Sequence, residues 1–254
     1  MKVFAVALLA ALHGAALAQE RVLTGSVGAD YTSGDYGQDE KTQIRSLSFA
    51  AKYEVGRWTY RASLPVVRIT GPSNVVGSGE GSVTLPGADA TRRSVTGLGD
   101  MVLGASYLAL HERGAPLLLE LGGKVKLGTG DEDEGLGTGK HDFSLQADAF
   151  KAYGAFTPFA TLGYRWYGDP EGIALRNVFY GSLGGVYRIS AASSAGLAYD
   201  ARDRIVEGGA RVSELVAFFS HALSRELKLQ IYVVKGFADA SPDRGLGAVL
   251  STTF

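Results

Sequence analysis

The sequence predicts an all-β fold, a transmembrane antiparallel β-barrel of about 12 strands and of the outer-membrane type. Three patterns support this prediction: apolar and polar residues alternate in segments of about ten residues, the connections alternate between short and long, and aromatic residues collect at both ends of the segments. The mean hydropathy of +0.06 agrees with such a barrel, because alternation along strands cancels in the average.

The first 18 residues predict a secretory signal peptide (residues 1–18) that precedes a barrel domain over residues 19–254. Lys2 stands before an apolar run over residues 3–12, and Ala16 and Ala18 form the small-x-small pattern of a cleavage site. An N-terminal membrane anchor is the alternative, but the run is shorter than the roughly 20 apolar residues that a spanning helix needs. The pattern favours export through a cleaved signal into the outer membrane of a Gram-negative bacterium.

Charge and cysteine content exclude several partners and sites. The formal net charge is -1, and loss of Lys2 with the signal makes it -2, so nucleic acid is not expected as a partner. The sequence has no cysteine, which rules out disulfides and thiolate metal sites. We expect no metal and no cofactor. The expected partners are outer-membrane lipids, the barrel assembly machinery during biogenesis, and small solutes, while the oligomeric state stays open.

The strand segments follow from reading the chain by parity, since successive side chains of a strand point to opposite faces. In chain order, the apolar positions are Leu23, Gly25, Val27, Ala29, Tyr31; Leu47, Phe49, Ala51, Tyr53; Trp58, Tyr60, Ala62, Leu64, Val66; Met101, Leu103, Ala105, Tyr107; Leu117, Leu119, Leu121, Gly123, Val125, Leu127; Phe143, Leu145, Ala147, Ala149; Phe156, Ala160, Leu162, Tyr164, Trp166; Phe179, Gly181, Leu183, Gly185, Tyr187; Ala195, Leu197, Tyr199; Leu215, Ala217, Phe219; Leu227, Leu229, Ile231, Val233; and Leu246, Ala248, Leu250, Thr252, Phe254.

The connections between these segments indicate which end of the barrel faces outward. Short connections are expected around residues 55–56, 111–115, 153–154, 190–193 and 224–226, and long ones around residues 35–42, 71–96, 128–141, 168–177, 202–210 and 237–244. Outer-membrane barrels place short turns in the periplasm and long loops outside, and an even strand number returns both termini to the periplasm.

Aromatic residues on the apolar parity predict two girdles at the membrane interfaces. Trp58, Tyr60 and Tyr107 lie near short turns, whereas Tyr164 and Trp166 lie near long loops. A soluble β-sandwich, the weakest alternative, has no reason to separate aromatic residues in this way. The terminal Phe254 continues the apolar face of the last strand, and this ending resembles the C-terminal aromatic signal that the barrel assembly machinery recognises.

Three glycine-rich motifs point to a known family. The chain has Gly-Leu-Gly-Asp at residues 97–100, Leu-Gly-Thr-Gly-Asp at residues 127–131 and Gly-Thr-Gly at residues 137–139. It resembles the outer-membrane family named for the MetA pathway of phenol degradation, with Gly128 in place of the family's usual Pro. The resemblance is sharpest over residues 97–166 and implies a barrel that acts as a transporter. It carries over no binding residues, since the family has no established substrate.

If the apolar parity faces lipid, the opposite parity lines the interior, where basic residues exceed acidic ones. The predicted pore-lining residues are Arg61, Glu120, Lys124, Lys126, Asp148, Arg165, Asp200, Glu214 and Lys228. Arg61, Glu120, Lys124 and Asp148 are expected near mid-depth, where rings of charge set pore selectivity. These charges predict a channel for small solutes, with anions or aromatic acids as candidates. The alternative is that they pair across the interior, Lys124 with Asp148 for example, and close a structural barrel.

Two loops leave further alternatives open. The stretch over residues 71–96 is long enough either to fold into the pore or to stay outside as an external loop. The acidic run over residues 131–134 offers oxygen ligands, but it lacks the spaced pattern of a calcium loop, which favours a solvated acidic loop. The second function hypothesis is a non-conducting barrel that presents such loops for adhesion or envelope interactions.

An enzymatic role is not expected. His141 and Ser144 are three residues apart, which places them on opposite faces of a strand, so they cannot act as base and nucleophile. His111 falls in a short turn, and His221 lies on the lipid parity near the short-turn end. The sequence shows no acid, base and nucleophile that converge.

Overall fold

A computed structural model describes residues 21–77, 82–85, 91–111 and 117–254; the predicted signal peptide lies outside these residues. The described strands are β1 Arg21–Gly34, β2 Thr42–Val55, β3 Trp58–Pro72, β4 Val75–Gly77, β5 Ser82–Thr84, β6 Arg92–Leu98, β7 Met101–His111, β8 Leu117–Leu127, β9 Asp142–Lys151, β10 Phe156–Trp166, β11 Val178–Arg188, β12 Ser193–Arg202, β13 Val212–Ala222, β14 Leu227–Gly236 and β15 Arg244–Thr253.

The strands form one closed antiparallel barrel. From β7 to β15, each strand pairs with the strand that follows it in the chain. The barrel closes because β15 pairs with β1, β1 pairs with β2, and β2 pairs with β3. The other edge of β3 pairs with β6 along one part of its length and with β7 along the rest. Because β6 and β7 occupy one position in the wall, the barrel has 12 wall strands, as the alternation predicts. Because the sheet closes on itself, the described wall strands expose no unpaired edge to the membrane. The described residues contain no helix that is long and apolar enough to cross a membrane.

The predicted alternation is confirmed by exposure. Large apolar side chains of one parity face outward, with Leu145, Leu162 and Leu183 at 59%, 63% and 66% exposure. Charged and small residues of the other parity are buried in the interior, among them Asp148 on the same strand as Leu145. An apolar outer face with a polar inner face is the arrangement that a lipid-embedded barrel requires.

The strand that opposes β3 is interrupted, and this differs from the prediction. Residues 92–96 were expected in a long loop, but β6 continues the wall, with Arg92 to Leu98 paired to Pro72 to Val66. Gly99 and Asp100 separate β6 from β7. The Gly-Leu-Gly-Asp motif therefore marks a break within a wall strand.

The described parts of the long connection after β3 fold over the mouth of the barrel. The short strands β4 and β5 pair with each other, and Val76 and Val83 are buried. They pack in one cluster with Tyr167, Leu175 and Ile205, which belong to the loops after β10 and β12 on the other side of the barrel. The long-loop end of the barrel is therefore covered by its own loops.

Candidate functional site in the barrel interior

One part of the interior wall, from β3 to β10, carries a chain of charged and polar side chains. Arg61 on β3 donates to the Ser106 hydroxyl at 2.8 Å and forms an ion pair with Glu120 on β8 at 3.4 Å. Both charged side chains are 16% exposed, so the pair still meets the interior space. Arg61 and Glu120 lie three residues from the short-turn ends of their strands, below the expected mid-depth.

Asp148 on β9 continues this wall. Its two carboxylate oxygens accept hydrogen bonds of 2.6 Å from Thr161 and from Gln146, and Tyr180 donates to Gln146 at 3.1 Å. Lys124 lies in electrostatic range of both Asp148 and Arg61. The two carboxylate oxygens of Asp148 thus bond to Thr161 and Gln146, and the pairing of Lys124 with Asp148 stays a prediction.

Arg165, Asp200 and Glu214 are buried in the long-loop half of the interior. The Arg165 guanidinium stacks on two rings, 5.6 Å from the centroid of Tyr167 and 5.7 Å from that of Tyr180. Asp200 accepts a short hydrogen bond from Ser182 and lies directly opposite Glu214 in the register of β12 and β13. Polar groups therefore occur on this side of the interior as well.

Lys228 lies on the interior parity near the short-turn end of β14, opposite Ser251 of β15. Lys52 on β2 occupies a similar depth and forms an ion pair with Glu54 at 2.8 Å. Within the described part of the chain, no carboxylate lies at ion-pair distance from Lys228. The described short-turn half of the interior therefore offers a cation that is not neutralised by a neighbour.

Among these polar side chains, the interior wall also carries an apolar cluster, mainly on β10 to β15. This buried cluster consists of Phe150, Phe159, Val186, Ala198, Val216, Phe218, Tyr232, Val234 and Val249. Two rings lie flat across glycines of the adjacent strands: a Cβ on Gly196 would stand 2.3 Å from Phe218, and one on Gly247 would stand 2.4 Å from Tyr232. Only glycine permits this approach, so the two rings pack directly against the interior wall.

Lys126 is the centre of a buried ion cluster at the strand break. Its ammonium group donates to Asp100 at 2.7 Å and to Thr138 at 2.8 Å, and it lies 3.4 Å from Asp142. Asp100 also accepts a hydrogen bond from the backbone N–H of Gly130 at 2.9 Å. The three glycine-rich motifs thus meet at one point, where they hold the loop over residues 128–141 inside the barrel.

The loop over residues 128–141 packs against the barrel wall and bonds to the β4–β5 hairpin. Leu136 is buried against Val67 and Ile69 on the interior face of β3. The N–H of Gly77 donates to the carbonyl of Gly135 at 2.9 Å, which joins the hairpin to the loop. Of the stretch over residues 71–96, the described hairpin of β4 and β5 therefore folds inward over the mouth, whereas residues 92–96 belong to the barrel wall.

The first long loop also contacts the hairpin. Tyr36 is buried with a φ of 53°, in a turn that the N–H of Gln38 closes on the carbonyl of Asp35. Its phenol hydrogen-bonds to Thr32, and its carbonyl accepts from Thr84 of β5. Burial raises the pKa of Tyr36 to about 12, with the nearby charge of Glu214 acting in the same direction.

The acidic run over residues 131–134 forms an exposed turn. The Asp131 carboxylate accepts from the N–H of Glu134 at 3.1 Å, and the four side chains are exposed. No group of three or more His, Asp or Glu residues that could hold a metal ion occurs among the described residues. The structure adds no ligand arrangement to the predicted solvated loop.

The structure shows a serine–histidine pair that the sequence analysis did not identify. Ser193 and His221 are register partners of β12 and β13, and the Ser193 hydroxyl lies 2.8 Å from Nδ1 of His221 on the outer face. Among the described residues, no carboxylate bonds to the His221 ring. His141 instead accepts from the N–H of Gly128 at 3.1 Å. The pair lacks the third group that orients a catalytic histidine.

Three solved structures illustrate the similarity of this barrel to known proteins. An outer membrane channel from Pseudomonas putida F1 has a TM-score of 0.70 and 16% identity, covering 95% of this chain and 98% of that chain. The NanC porin has a TM-score of 0.55 and 9% identity, covering 91% and 98%. The KdgM porin, solved in complex with disordered oligogalacturonate, has a TM-score of 0.53 and 8% identity, covering 90% and 99%.

These likenesses, all at low identity, show a shared barrel fold. The comparison with curated protein sequences gives no match. A family model does match, over residues 24–254, which includes all three glycine-rich motifs and every wall strand except the first three residues of β1. Since the match covers most of the sequence, the chain belongs to the family described as "Putative MetA-pathway of phenol degradation".

Proposed function

We propose that the protein is an outer-membrane channel for small anionic solutes, aromatic acids among them. The observation that carries this proposal is that the interior holds both charged side chains, such as Arg61 and Lys124, and a buried apolar cluster that includes Phe218 and Tyr232. An aromatic carboxylate presents the same two chemistries, a charge at one end and a flat ring at the other. Rings that meet at offset or edge-on angles attract each other beyond simple burial.

Lys228 supports the same proposal. It lies near the short-turn end of the interior, which faces the periplasm in outer-membrane barrels. A cation without a described acidic neighbour attracts anions to this exit more strongly than a cation in an ion pair does. Rings of positive charge along a channel interior produce a preference for anions.

The test is single-channel recording of the refolded protein in a planar bilayer, with reversal potentials for ion selectivity and benzoate as a blocker. We expect discrete steps, a preference for chloride over potassium, and block by benzoate. Lys228→Gln lowers the anion preference, and Phe218→Leu weakens benzoate block while leaving the chloride preference in place. Lys151→Gln, at the same end but on the outer parity, serves as the matched control. Equal benzoate block in Phe218→Leu and the unaltered protein contradicts the aromatic-acid proposal.

The interlocked loops at the mouth favour one second candidate, a non-conducting barrel that presents its loops to the exterior. Val83→Asp places a charge in the apolar contact of the hairpin with Tyr167 and Ile205, which destabilises the closed mouth. A gated channel then conducts more, or stays open longer, than the unaltered protein. A correctly folded barrel that is silent both before and after this change supports the non-conducting candidate.

A further inference from the structure

The outer face of the barrel carries two pairs of basic residues that lie directly opposite each other across strands. Arg45 on β2 is the register partner of Arg68 on β3, and Lys235 on β14 is the register partner of Arg244 on β15. All four side chains are exposed and lie on the parity that faces lipid, in the long-loop half of the barrel. Only β1 separates the two pairs.

Like charges directly opposite each other destabilise a sheet. None of the four side chains forms an ion pair with another described residue, whereas the nearby Arg92 pairs with Glu40 at 3.3 Å. Among the described hydrogen bonds, ion pairs and ring contacts, the four side chains take part in one, in which Arg45 lies over the Tyr31 ring at 5.9 Å. An anion that lies between the two basic side chains of a pair removes their repulsion, because both side chains then form charge-assisted hydrogen bonds to it.

Within the described strands, the outward basic residues of the long-loop half lie on one side of the barrel. The outward positions of β8 to β13 in the long-loop half carry aromatic and aliphatic residues, such as Phe143, Tyr164, Trp166 and Phe179, and no charged residue. Contact with the phosphates of bulk lipid does not require such an asymmetry, because lipid surrounds the whole barrel. The distribution fits one bound headgroup on the face formed by β14, β15, β1, β2 and β3.

An apolar groove lies lower on the same face. It has a volume of about 510 Å³, its floor includes the small residues Gly25, Ala51 and Ala62, and its upper edge includes Val27 and Phe49. Phe49 is four residues along β2 from Arg45, a distance of about 13 Å at the rise of a β-strand. The groove thus begins within reach of an acyl chain whose headgroup lies at the basic pairs.

We propose that this face binds one molecule of a diphosphorylated glycolipid of the outer leaflet, with a phosphate at each basic pair and an acyl chain in the groove. The proposal goes beyond channel function and holds whether or not the interior conducts. Two pairs of cations match two phosphates, since arginine and lysine form strong charge-assisted hydrogen bonds to phosphate oxygens. The long-loop end, where the pairs lie, is the end that faces the outer leaflet in barrels of this kind.

The test is native mass spectrometry of the folded full-length barrel in detergent, titrated with a hexa-acylated diphosphoryl glycolipid. The unaltered protein is expected to retain one glycolipid. Arg45→Gln/Arg68→Gln and Lys235→Gln/Arg244→Gln are each expected to weaken binding by about tenfold or more. Lys151→Gln/Arg225→Gln removes the same charge at the short-turn end and is expected to bind as the unaltered protein does.

The source of the phosphate is tested on the unaltered protein, which needs no variant to fold. The fully dephosphorylated glycolipid and phosphatidylglycerol are each expected to bind at least about tenfold more weakly than the diphosphoryl form. Equally tight binding of phosphatidylglycerol overturns the proposal in favour of general attraction to anionic lipid. Equal binding of the dephosphorylated form, or equal loss in the Lys151/Arg225 control, also overturns it.

Discussion

Replacing Lys126 by Met tests whether the buried ion cluster holds the inward loop in place. The change keeps most of the side-chain volume and removes the charge that bonds to Asp100 at 2.7 Å and Thr138 at 2.8 Å. The side chains of Asp100 and Asp142 are 0% and 3% exposed, so two carboxylates remain in the interior without their counter-charge. Removing one partner of a buried pair costs about 3–5 kcal/mol.

The assay is denaturant unfolding of the refolded barrel, followed by the fluorescence of Trp58 and Trp166. Lys52→Met is the matched control, because Lys52 also forms an ion pair, with Glu54 at 2.8 Å, but these side chains are 21% and 31% exposed. A pair this exposed contributes at most about 1 kcal/mol. The reasoning is refuted if Lys126→Met lowers the free energy of unfolding no more than Lys52→Met does.

A double variant separates the ion cluster from a general packing effect. Adding Asp100→Asn to Lys126→Met removes one of the two stranded negative charges. We therefore expect the double variant to be more stable than the sum of the single changes predicts, by about 1 kcal/mol or more. Simple additivity shows instead that Asp100 and Lys126 act independently.

Two further predictions concern the mouth. The pKa of Tyr36 is raised from 10.0 to about 12, so its neutral phenol stabilises the fold fully below pH 10, and this contribution, about 3 kcal/mol, is lost as the pH rises to about 12. The free energy of unfolding is measured across this range, and its decrease in Tyr36→Phe is expected to be smaller than in the unaltered protein by about this amount. Gly137→Ala places a Cβ 2.4 Å from the Asp100 carboxylate, so we expect it to lower the free energy of unfolding by about 1–3 kcal/mol. Gly104→Ala is the control. Its Cβ has ordinary contacts of 3.5 Å, so the free energy of unfolding is expected to stay nearly unchanged in the same assay.

Alternation made the wall of the barrel predictable. In β9, for example, Phe143, Leu145 and Ala147 share one parity while Asp148 falls on the other, and the structure places these groups on the outer and inner faces. β6 was missed because Arg92, Ser94 and Thr96 on its outward face are polar. A strand beyond the apolar zone lacks the hydrophobic signal on which the prediction depends.

The contacts within the candidate site were less accessible to sequence reasoning. Lys126 and Asp100 are 26 residues apart, and Ser193 and His221 are 28 apart, so neither pair is suggested by local spacing. The glycine-rich motifs around Asp100 marked the place where the ion cluster forms but gave no indication of its partners. Parity assigned Arg61 and Glu120 to the interior, while the register of β3, β7 and β8 brought them together.

By itself, the sequence determined the fold class, the face of each recognised strand and the family, because each of these follows from local patterns of residues. The tertiary structure alone decided the ion cluster at Lys126, the cover of the mouth by the β4–β5 hairpin, and the opposed pairs Arg45–Arg68 and Lys235–Arg244. The physical reason is that side-chain period is a property of one strand, whereas register and inward folding depend on contacts between segments far apart in the chain.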